Sequence, residues 1–383
     1  MIKHWLTIGM SSFSTPGFQD TSRLMTSAFE GQVAYVEPPK PFSSWRRLNG
    51  RLTRWESDHS ANWNVFTPPL PIPRKVDPLS MAYKRQTSNL ANALSELWGD
   101  NWRSSTVCYI TNWTPFQQRL IERLDPTYLV FDCVDDILSF PYDWDRDAVV
   151  SAWRKLASSS VKVLAVSPKL RHDMETLLDV PIDHSPNGVD ATGFMKPSGI
   201  PPADVREEGR IKVGFAGTLN HWIDFDSMIQ LATEYPDITL YLMGRQGNFR
   251  DEAHKQAFHR LTSLDNVKYL GAIPYPDLPS YLHAMDVLLL PRTPGPASVA
   301  SSPLKLYEYL AVGKPIVTYG VPIPPDMESF VYSARDQSAL VEPFRDAVAE
   351  ATGRSQSLHE RRQSYALANT WSHRMKRVLE GIE

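Results

Sequence analysis

The second half of the chain alternates short apolar runs with longer segments in which apolar residues recur every three or four positions. Short apolar runs are typical of buried strands, and the wider spacing is typical of amphipathic helices. The runs predict strands at residues 211–217, 238–244, 267–271, 287–291 and 315–319. The longer segments predict helices at residues 225–234, 250–261, 278–285 and 304–312. Because strands that alternate with helices are joined by right-handed crossovers, we expect a parallel sheet whose ligands bind beyond the carboxyl ends of the strands.

The first half shows the same alternation with more irregular sequence inserted. Its apolar runs predict strands at residues 5–8, 32–36, 107–110, 128–131 and 161–166. A stretch rich in proline and tryptophan, residues 38–80, is predicted to be an excursion from the sheet and not a helix. The prolines and charges of residues 195–210 indicate a linker between two domains, and the length of 383 residues also favours two domains.

Composition narrows the classes of function. With 40 basic and 43 acidic residues the formal net charge is −3, which disfavours nucleic acid as a partner because such proteins normally carry a strongly basic face. Two cysteines, Cys108 and Cys133, are too few for a disulfide framework or a zinc site and favour a reducing compartment. Neither a signal peptide nor a run of about 18 apolar residues is found, so a cytoplasmic protein is expected, with attachment to the inner face of the membrane left open.

Gly217 ends the predicted strand at residues 211–217 and is followed by Thr218 and Asn220. A glycine at such a turn lets backbone N–H groups approach a phosphate near the start of the next helix. The same residues also suit a tight turn that binds nothing, and both interpretations stay open. No GK[ST] sequence follows the glycine, so a P-loop ATPase or kinase is disfavoured.

Ser302, Pro303, Lys305 and Glu308 lie at the start of the predicted helix at residues 304–312. Proline suits the first turn of a helix, where the free N–H groups and the positive end of the dipole attract a diphosphate. Lys305 opposes that dipole, a local cost that an anion between them would relieve. Glu308 lies one turn further and could accept two ribose hydroxyl groups; alternatively, it forms an ordinary surface ion pair with Lys305.

Several phrases of the sequence resemble, in order and spacing, the GT-B glycosyltransferases. They are Pro-Asn-Gly-Val-Asp at residues 186–190 and the segments at residues 266–271, 276–281, 286–291, 303–315 and 371–372. The resemblance covers residues 160–375 and is weak before them. It implies an α/β protein with two Rossmann-like domains whose parallel sheets face a cleft. We expect these domains at residues 1–195 and 196–365, with a final helix at residues 366–383 that packs back on the first domain.

The resemblance further implies that the second domain binds a nucleotide-sugar donor. Glu308 corresponds to the ribose-binding glutamate that ends the family's E-x7-E pattern, whereas the first glutamate of that pattern falls at Ala300. Many retaining members place an arginine and a lysine after the glycine-rich strand, where this chain has Thr218. We therefore expect Lys305 to supply the cation for the diphosphate, with Arg245 as the second choice.

The remaining donor contacts follow from the same resemblance. The nucleobase is expected near Ile273 and Tyr275. The lysine at the helix start is similar to the pattern of bacterial exopolysaccharide transferases, including glucuronosyltransferases. The predicted donor-binding residues are Gly217, Thr218, Arg245, Ile273, Tyr275, Ser302, Leu304, Lys305 and Glu308.

Asp135 and Asp136 follow the predicted strand at residues 128–131. Two adjacent carboxylates at the carboxyl end of a strand lie where α/β active sites form, and repulsion with partial burial could raise the pKa of one of them. Asp135, with Asp136 close behind, is therefore the candidate base for an acceptor hydroxyl, and related transferases carry a similar Asp-Asp phrase. The alternative is that one aspartate caps the next helix and the other faces solvent.

Two segments of the first half are candidates for contacts with the acceptor or the membrane. The loop after the first predicted strand contains Ser14, Gly17 and Asp20, which could meet the acceptor; a plain flexible loop fits equally well. Residues 45–55 combine four arginines with two tryptophans and two leucines. That mixture suits the headgroup layer of an anionic membrane, but it also suits a solvated loop or a contact with acceptor phosphate.

Taken together, the residues and the resemblance predict a glycosyltransferase. It would move a sugar from a nucleotide-diphosphate sugar, with UDP as a candidate carrier, to a hydroxyl of a glycan or polyprenyl-linked saccharide in bacterial surface polysaccharide assembly. Neither a metal nor a cofactor is expected to be required, since no metal-ligand spacing is found. A non-catalytic nucleotide-sugar-binding protein and an epimerase that uses His221 are the alternatives on the same scaffold.

Overall fold

The computed structural model describes most of the chain, in two compact units. The described residues are 1–13, 20–39, 56–60, 63–68, 81–139, 145–196, 202–206, 209–334, 336–353 and 355–382. The first unit contains Met1–Pro186 and Arg374–Glu383, and the second contains Asn187–His373. The division therefore falls at Pro186, before the boundary expected at residue 195.

The described residues of the first unit form an eight-stranded sheet. Its strands are β1 (His4–Ile8), β2 (Gln32–Val36), β3 (Glu56–Ser60), β4 (Trp63–Thr67), β5 (Thr106–Thr111), β6 (Tyr128–Cys133), β7 (Lys162–Ala165) and β8 (Asp183–His184). They lie in the order β3-β4-β2-β1-β5-β6-β7-β8. Every neighbouring pair is parallel except β3 and β4, which are antiparallel. The five strands predicted in this half are all present.

The prediction that residues 38–80 leave the sheet is wrong for the part that the structure describes. Strand β4 pairs in parallel with β2, and β3 adds an antiparallel edge to β4. Val65 and Phe66 are buried, so β4 contributes to the core of the unit. The strand at Glu56–Ser60 is polar in sequence, and its extended conformation follows from pairing with β4 rather than from its own apolar pattern.

Helices connect these strands, and several begin at side chains that accept a hydrogen bond from the first turn. Asp20, Thr114, Asp145 and Ser167 each cap a helix in this way. Such caps satisfy N–H groups that have no partner within the helix. The helices are α1 (Thr21–Ser27), α2 (Met81–Trp98), α3 (Pro115–Leu124), α4 (Arg146–Ser159) and α5 (Pro168–Leu178).

The second unit contains a six-stranded parallel sheet. Its strands are β9 (Ile211–Ala216), β10 (Ile238–Met243), β11 (Val267–Gly271), β12 (Val287–Pro291), β13 (Ile316–Tyr319) and β14 (Tyr332–Ala334), in the order β11-β10-β9-β12-β13-β14. Its helices are α6 (Ala191–Met195), α7 (Phe225–Glu234), α8 (Glu252–Thr262), α9 (Leu278–His283), α10 (Pro296–Val299), α11 (Leu304–Val312), α12 (Val341–Gly353) and α13 (Gln356–Ala368). A last helix, α14 (Trp371–Leu379), ends in residues of the first unit. The strands and helices predicted in this half are confirmed.

The parallel strands of each sheet reverse their order at one place. In the first unit the reversal lies between β1 and β5, and in the second it lies between β9 and β12. The connections on the two sides of a reversal run to opposite faces, which leaves a crevice at the carboxyl ends of the strands. The segments that follow β1, β5, β9 and β12 are therefore the places where a ligand of either unit is expected.

The core of the first unit contains a buried polar cluster around Asp132 of β6. Arg374 of α14 donates a hydrogen bond to Asp132 at 2.7 Å, and Tyr109 of β5 donates a second one at 2.5 Å. Cys108 and Cys133 lie beside these residues, and both are buried, free thiols. Burial raises the pKa of Cys108 to about 12 and the pKa of Cys133 well above its usual value.

Among the described helices, none combines the length and apolar character needed to cross a membrane.

Candidate functional site

Gly217 lies at the carboxyl end of β9, at the strand-order reversal of the second unit. Its φ of +144° is one that L side chains rarely adopt, and a Cβ atom there would lie 1.7 Å from Lys305 Cε. Because Gly217 has no side chain, the methylene groups of Lys305 can pack over the turn. Gly217 N also donates to Met243 O at 2.7 Å, which ties the turn to β10.

Two further contacts hold this turn in position. A Cβ atom on Gly244, at the end of β10, would lie 1.9 Å from Gly217 O, so the two backbones approach as closely as only glycine allows. The Tyr309 hydroxyl of α11 accepts a hydrogen bond from Ala216 N at 2.8 Å. Helix α11 and the ends of β9 and β10 therefore form one fixed arrangement.

Helix α11 begins at this turn with an open amino end. Its cap position is Pro303, which provides no side-chain hydrogen bond to the first turn. The preceding residue is fixed from elsewhere, because Asn187 Nδ2 donates to Ser302 O at 2.6 Å. Ser302 Oγ lies 3.2 Å from the Tyr307 hydroxyl. The first N–H groups of α11 and the positive end of its dipole are thus available to an anion.

Lys305 combines partial burial with a lack of protein partners. Its side chain is half-buried, and among the described residues no hydrogen bond or ion pair within 4.0 Å engages its ammonium group. Burial, together with the positive charge of Arg292, lowers the pKa of Lys305, while Glu308 partly opposes the shift. A cation that is desolvated in this way is stabilised when an anion binds beside it.

Arg292 is a second cation whose charge acts on Lys305, and it is not among the residues predicted from the sequence. It directly follows β12, and its Nη1 donates to Ser301 Oγ at 2.7 Å. Ser301 in turn donates to Ser298 O at 2.7 Å, so the loop before α11 orients the guanidinium. A basic residue directly after a buried strand at the reversal was the only sequence signal for it, and alone it is a weak one.

Glu308 lies one turn along α11 from Lys305 and is 8% exposed. The Tyr275 hydroxyl donates to Glu308 Oε1 at 3.0 Å. Burial raises the pKa of Glu308, against the opposing effects of Lys305 and the Tyr275 hydrogen bond. The pKa of Tyr275 is also raised, first by burial and then by the Glu308 charge. Ile273, like Tyr275, is half-buried, so both can offer surface to a ligand.

The other predicted donor-binding residues lie around the same turn. Thr218 is half-buried, and its Cγ2 atom would lie 2.9 Å from a Cβ atom on Gly247. Arg245 is exposed, and its carbonyl accepts a hydrogen bond from Leu219 N at 2.9 Å. Leu304 is the first residue of α11 and is half-buried. The nine predicted residues therefore come from one unit, with Lys305 in contact with Gly217 and Glu308 in contact with Tyr275.

The imidazole ring of His221 lies beside the side chain of its neighbour Asn220. Its Nδ1 lies 3.1 Å from Asn220 Oδ1, which also accepts from the N–H groups of His221 and Asn248. Burial lowers the pKa of His221. The arrangement orders the loop after β9.

The candidate base residues lie in the first unit, after β6. Asp135 is exposed. Asp136 accepts a hydrogen bond from the hydroxyl of Ser139 and begins the 3-10 turn at Ile137–Ser139. The next α-helix along the chain, α4, is capped by Asp145, and the role of Asp135 or Asp136 as the base stays a prediction.

Of the predicted acceptor-side residues, only Asp20 lies in the described part of the chain. Asp20 caps α1 by accepting from Arg23 N at 2.9 Å, and its carboxylate also accepts from the hydroxyls of Ser11 and Ser22. Ser14, Gly17 and residues 45–55 lie outside the described residues. Within the described residues, no group of three or more His, Cys, Asp or Glu side chains is arranged to hold a metal ion.

Comparison with known proteins agrees with this architecture. Residues 200–357, which contain the whole candidate site after β9, match the family model described as "Glycosyl transferases group 1". A Bacillus subtilis (strain 168) protein named as a teichuronic acid biosynthesis glycosyltransferase is 24% identical over 270 residues. That alignment covers 66% of this chain and 66% of the relative, just under two thirds of its length.

Solved structures match nearly the full chain, among them the following two. Sucrose-phosphate synthase from Thermosynechococcus elongatus superposes with a TM-score of 0.69 at 13% identity, covering 99% of this chain and 98% of that one. Anabaena Alr3699/HepE, solved in complex with UDP and glucose, gives a TM-score of 0.65 at 16% identity, with 100% and 99% covered. At these identities the likeness establishes the fold.

The two α/β units with their parallel sheets have the GT-B fold of the matched structures. The match to the glycosyl transferases group 1 family lies within the second unit.

Proposed function

We propose that this protein transfers a sugar from a nucleoside-diphosphate sugar to a hydroxyl group of a glycan or lipid-linked saccharide in cell-surface polysaccharide synthesis. The observation that carries the proposal is the placement of Lys305. Its partly desolvated ammonium lies against Gly217, within electrostatic reach of Arg292 and in the first turn of α11. The two cations and the positive end of the helix dipole repel each other. A bound diphosphate would offset this repulsion with its negative charge.

The binding places of the ribose and the nucleobase are assigned from their position relative to Lys305. Glu308 lies one turn beyond Lys305, and one of its oxygens is occupied by the Tyr275 hydroxyl. The other oxygen is assigned to the ribose hydroxyls, and the half-buried surface of Ile273 and Tyr275 to the nucleobase. UDP is our candidate nucleotide, and its presence in the Anabaena Alr3699/HepE structure supports the choice.

We assign acceptor activation to Asp135, with Asp136 as the alternative. In an inverting transfer, the carboxylate takes the proton of the acceptor hydroxyl while that oxygen bonds to the sugar carbon and the bond to the diphosphate breaks. The negative charge that develops on the leaving diphosphate is stabilised by Lys305, Arg292 and the first N–H groups of α11. With two side-chain cations at the diphosphate, we propose a reaction that needs no metal ion.

The decisive experiment compares Lys305→Ala with Lys255→Ala, which removes an exposed lysine from the same unit. Calorimetric titration with UDP should show affinity reduced about 10- to 100-fold for Lys305→Ala, since hydrogen bonds to charged groups contribute about 1.5–3 kcal/mol. The Lys255 variant should bind like the wild type. Equal UDP affinity in the wild type and both variants would contradict the assignment of the diphosphate to Lys305.

A second measurement addresses the reaction itself. Release of UDP from UDP-sugars is followed with and without saccharide acceptors, in the wild type and in Asp135→Asn and Asp136→Asn. Loss of turnover in one variant with unchanged UDP affinity identifies the base. Tight UDP binding with no turnover on any donor or acceptor would favour the non-catalytic binding protein, which the alanine at position 300 also permits.

A further inference from the structure

Asn112 has an unusual backbone conformation at the strand-order reversal of the first unit. It directly follows β5, it is 6% exposed, and its φ is +53°. Among L residues, asparagine is one of the few that adopt this left-handed conformation readily. Such conformations persist where the surrounding structure requires them, and they cluster at functional sites.

The hydrogen bonds of the Asn112 side chain explain why its backbone is left-handed. Its Oδ1 atom accepts hydrogen bonds from Val134 N and Asp135 N, both at 3.2 Å. Its own N–H donates to Asp132 O at 3.0 Å. Asn112 therefore binds one residue near the end of β6 and two residues of the segment that follows, and the left-handed turn directs the amide toward that segment.

The exposed carboxylate of Asp135 stands on this fixed backbone. Asp135 N is bound by Asn112, while the next residue, Asp136, is held by the hydroxyl of Ser139. The segment is thus anchored on both sides of the Asp135 side chain. Behind Asn112, the buried Gln117 amide of α3 donates to Ile8 O at 2.8 Å and to Thr111 O at 3.4 Å, which ties the end of β5 to the end of β1 at the same reversal.

We propose that Asn112 is a positioning residue for the transfer reaction: through its two amide hydrogen bonds it holds Asp135 in the orientation that accepts the proton of the acceptor hydroxyl. The inference rests on the proposed function, in which Asp135 is the base. Asn112 itself touches neither donor nor acceptor. Its contribution is to limit the motion of the base, and a displacement of about 1 Å in such a group can reduce turnover on the order of 100-fold.

Two substitutions separate this role from a purely structural one. Asn112→Gly keeps the left-handed backbone, because glycine adopts positive φ without strain, but it deletes the acceptor oxygen. Asn112→Asp keeps the acceptor and tolerates the same backbone, but it places a negative charge next to Asp135. A like charge raises the pKa of a neighbouring carboxyl group.

The test measures kcat, KM for the UDP-sugar and the pH dependence of kcat/KM in the wild type, both Asn112 variants and Asp135→Asn. We expect Asn112→Gly to lower kcat about 10- to 100-fold with KM for the donor unchanged. We expect Asn112→Asp to recover most of kcat at high pH and to move the acidic limb of the profile to higher pH. A structural turn alone would lower the melting temperature of Asn112→Gly and leave both kinetic signatures unchanged.

The outcomes distinguish this inference from the proposed function. An inactive Asp135→Asn protein together with wild-type kcat and pH profile in both Asn112 variants overturns the positioning role alone. Full turnover in Asp135→Asn overturns the assignment of the base, and the positioning role with it. An inactive Asp135→Asn protein with a reduced kcat in Asn112→Gly and a shifted profile in Asn112→Asp supports both.

Discussion

Arg374 of α14 and Asp132 of β6 form an ion pair of 2.7 Å in which neither side chain has any exposed surface. The same guanidinium donates to Ser185 Oγ and Ser185 O, each at 3.0 Å. The charge of Asp132 raises the pKa of Arg374 and offsets the opposite effect of burial. The pair therefore fastens the last helix to the strand that leads to Asp135.

Removal of one partner of this pair should destabilise the first unit strongly. Arg374→Met leaves Asp132 as a buried carboxylate without its counter-charge, which typically costs about 3–5 kcal/mol. We expect a large fall in the denaturant midpoint measured by tryptophan fluorescence. Lys376→Ala, an exposed change in the same helix, is the control and should unfold like the wild type. Equal midpoints for the two variants would contradict a stabilising role for the pair.

Gly217→Ala should disrupt the diphosphate site. The new Cβ atom would lie 1.7 Å from Lys305 Cε, and φ of +144° disfavours any L side chain. Lys305 must then move away, and affinity for UDP should fall at least about 10-fold, in line with the loss of one charged hydrogen bond. Gly353→Ala, where no atom lies within 4 Å of the added Cβ, is the matched control in calorimetric titration. Unchanged UDP affinity in Gly217→Ala would show that Lys305 is not needed in this position.

Lys305→Met should stabilise the ligand-free protein while it weakens donor binding. Because the pKa of Lys305 is lowered in the folded protein, the protonated lysine costs folding free energy at neutral pH. That cost is present in full below the folded pKa and disappears above the unfolded value of about 10.4. Methionine keeps the apolar stem without the charge, so we expect a gain of about 1 kcal/mol, or roughly 2–4 °C.

The Lys305 measurement is a pair of thermal unfolding scans, without and with UDP. The variant should melt above the wild type without UDP and should gain less than the wild type when UDP is added. A variant that melts below the wild type in the absence of UDP would contradict the cost assigned to the partly desolvated ammonium.

Donor affinity should fall toward acidic pH, and Glu308 should be responsible. Only the ionised carboxylate accepts two hydroxyl groups, and the pKa of Glu308 is raised by burial. As pH falls through that raised pKa, affinity is lost, at a higher pH than the ordinary glutamate value of about 4.3 would cause. Titrations with a UDP-sugar, at several pH values, should show this limb in the wild type and in the exposed control Glu252→Gln, but not in Glu308→Gln.

The fold was predictable because its strongest signal is local. The five strands predicted in the second unit are short apolar runs that end at or just before glycine or proline, and the predicted helices carry apolar residues at helical spacing. The strand at Glu56–Ser60 was not predictable, since its polar sequence becomes extended only through pairing with β4. At the edge of a sheet, pairing with a neighbouring strand can override the low strand propensity of the residues themselves.

The candidate site was predictable where one segment carries it and not where distant segments meet. Lys305 and Glu308 lie within a single helical turn, so their spacing already indicates a shared face. Arg292 enters through a different strand, and its proximity to Lys305 arises only when β12 lies beside β9. The ion pair of Arg374 and Asp132 joins residues 242 positions apart, and no local sequence pattern predicts it.

The two thiols described in the core make the protein well suited to spectroscopic labelling. Cys108 and Cys133 are the only cysteines of the sequence, and both are buried with raised pKa values. Maleimide reagents attack the thiolate, so the native chain should stay unmodified at neutral pH. One cysteine introduced at an exposed position, such as Arg245 or Asp135, would then carry a single fluorophore without any prior removal of native thiols.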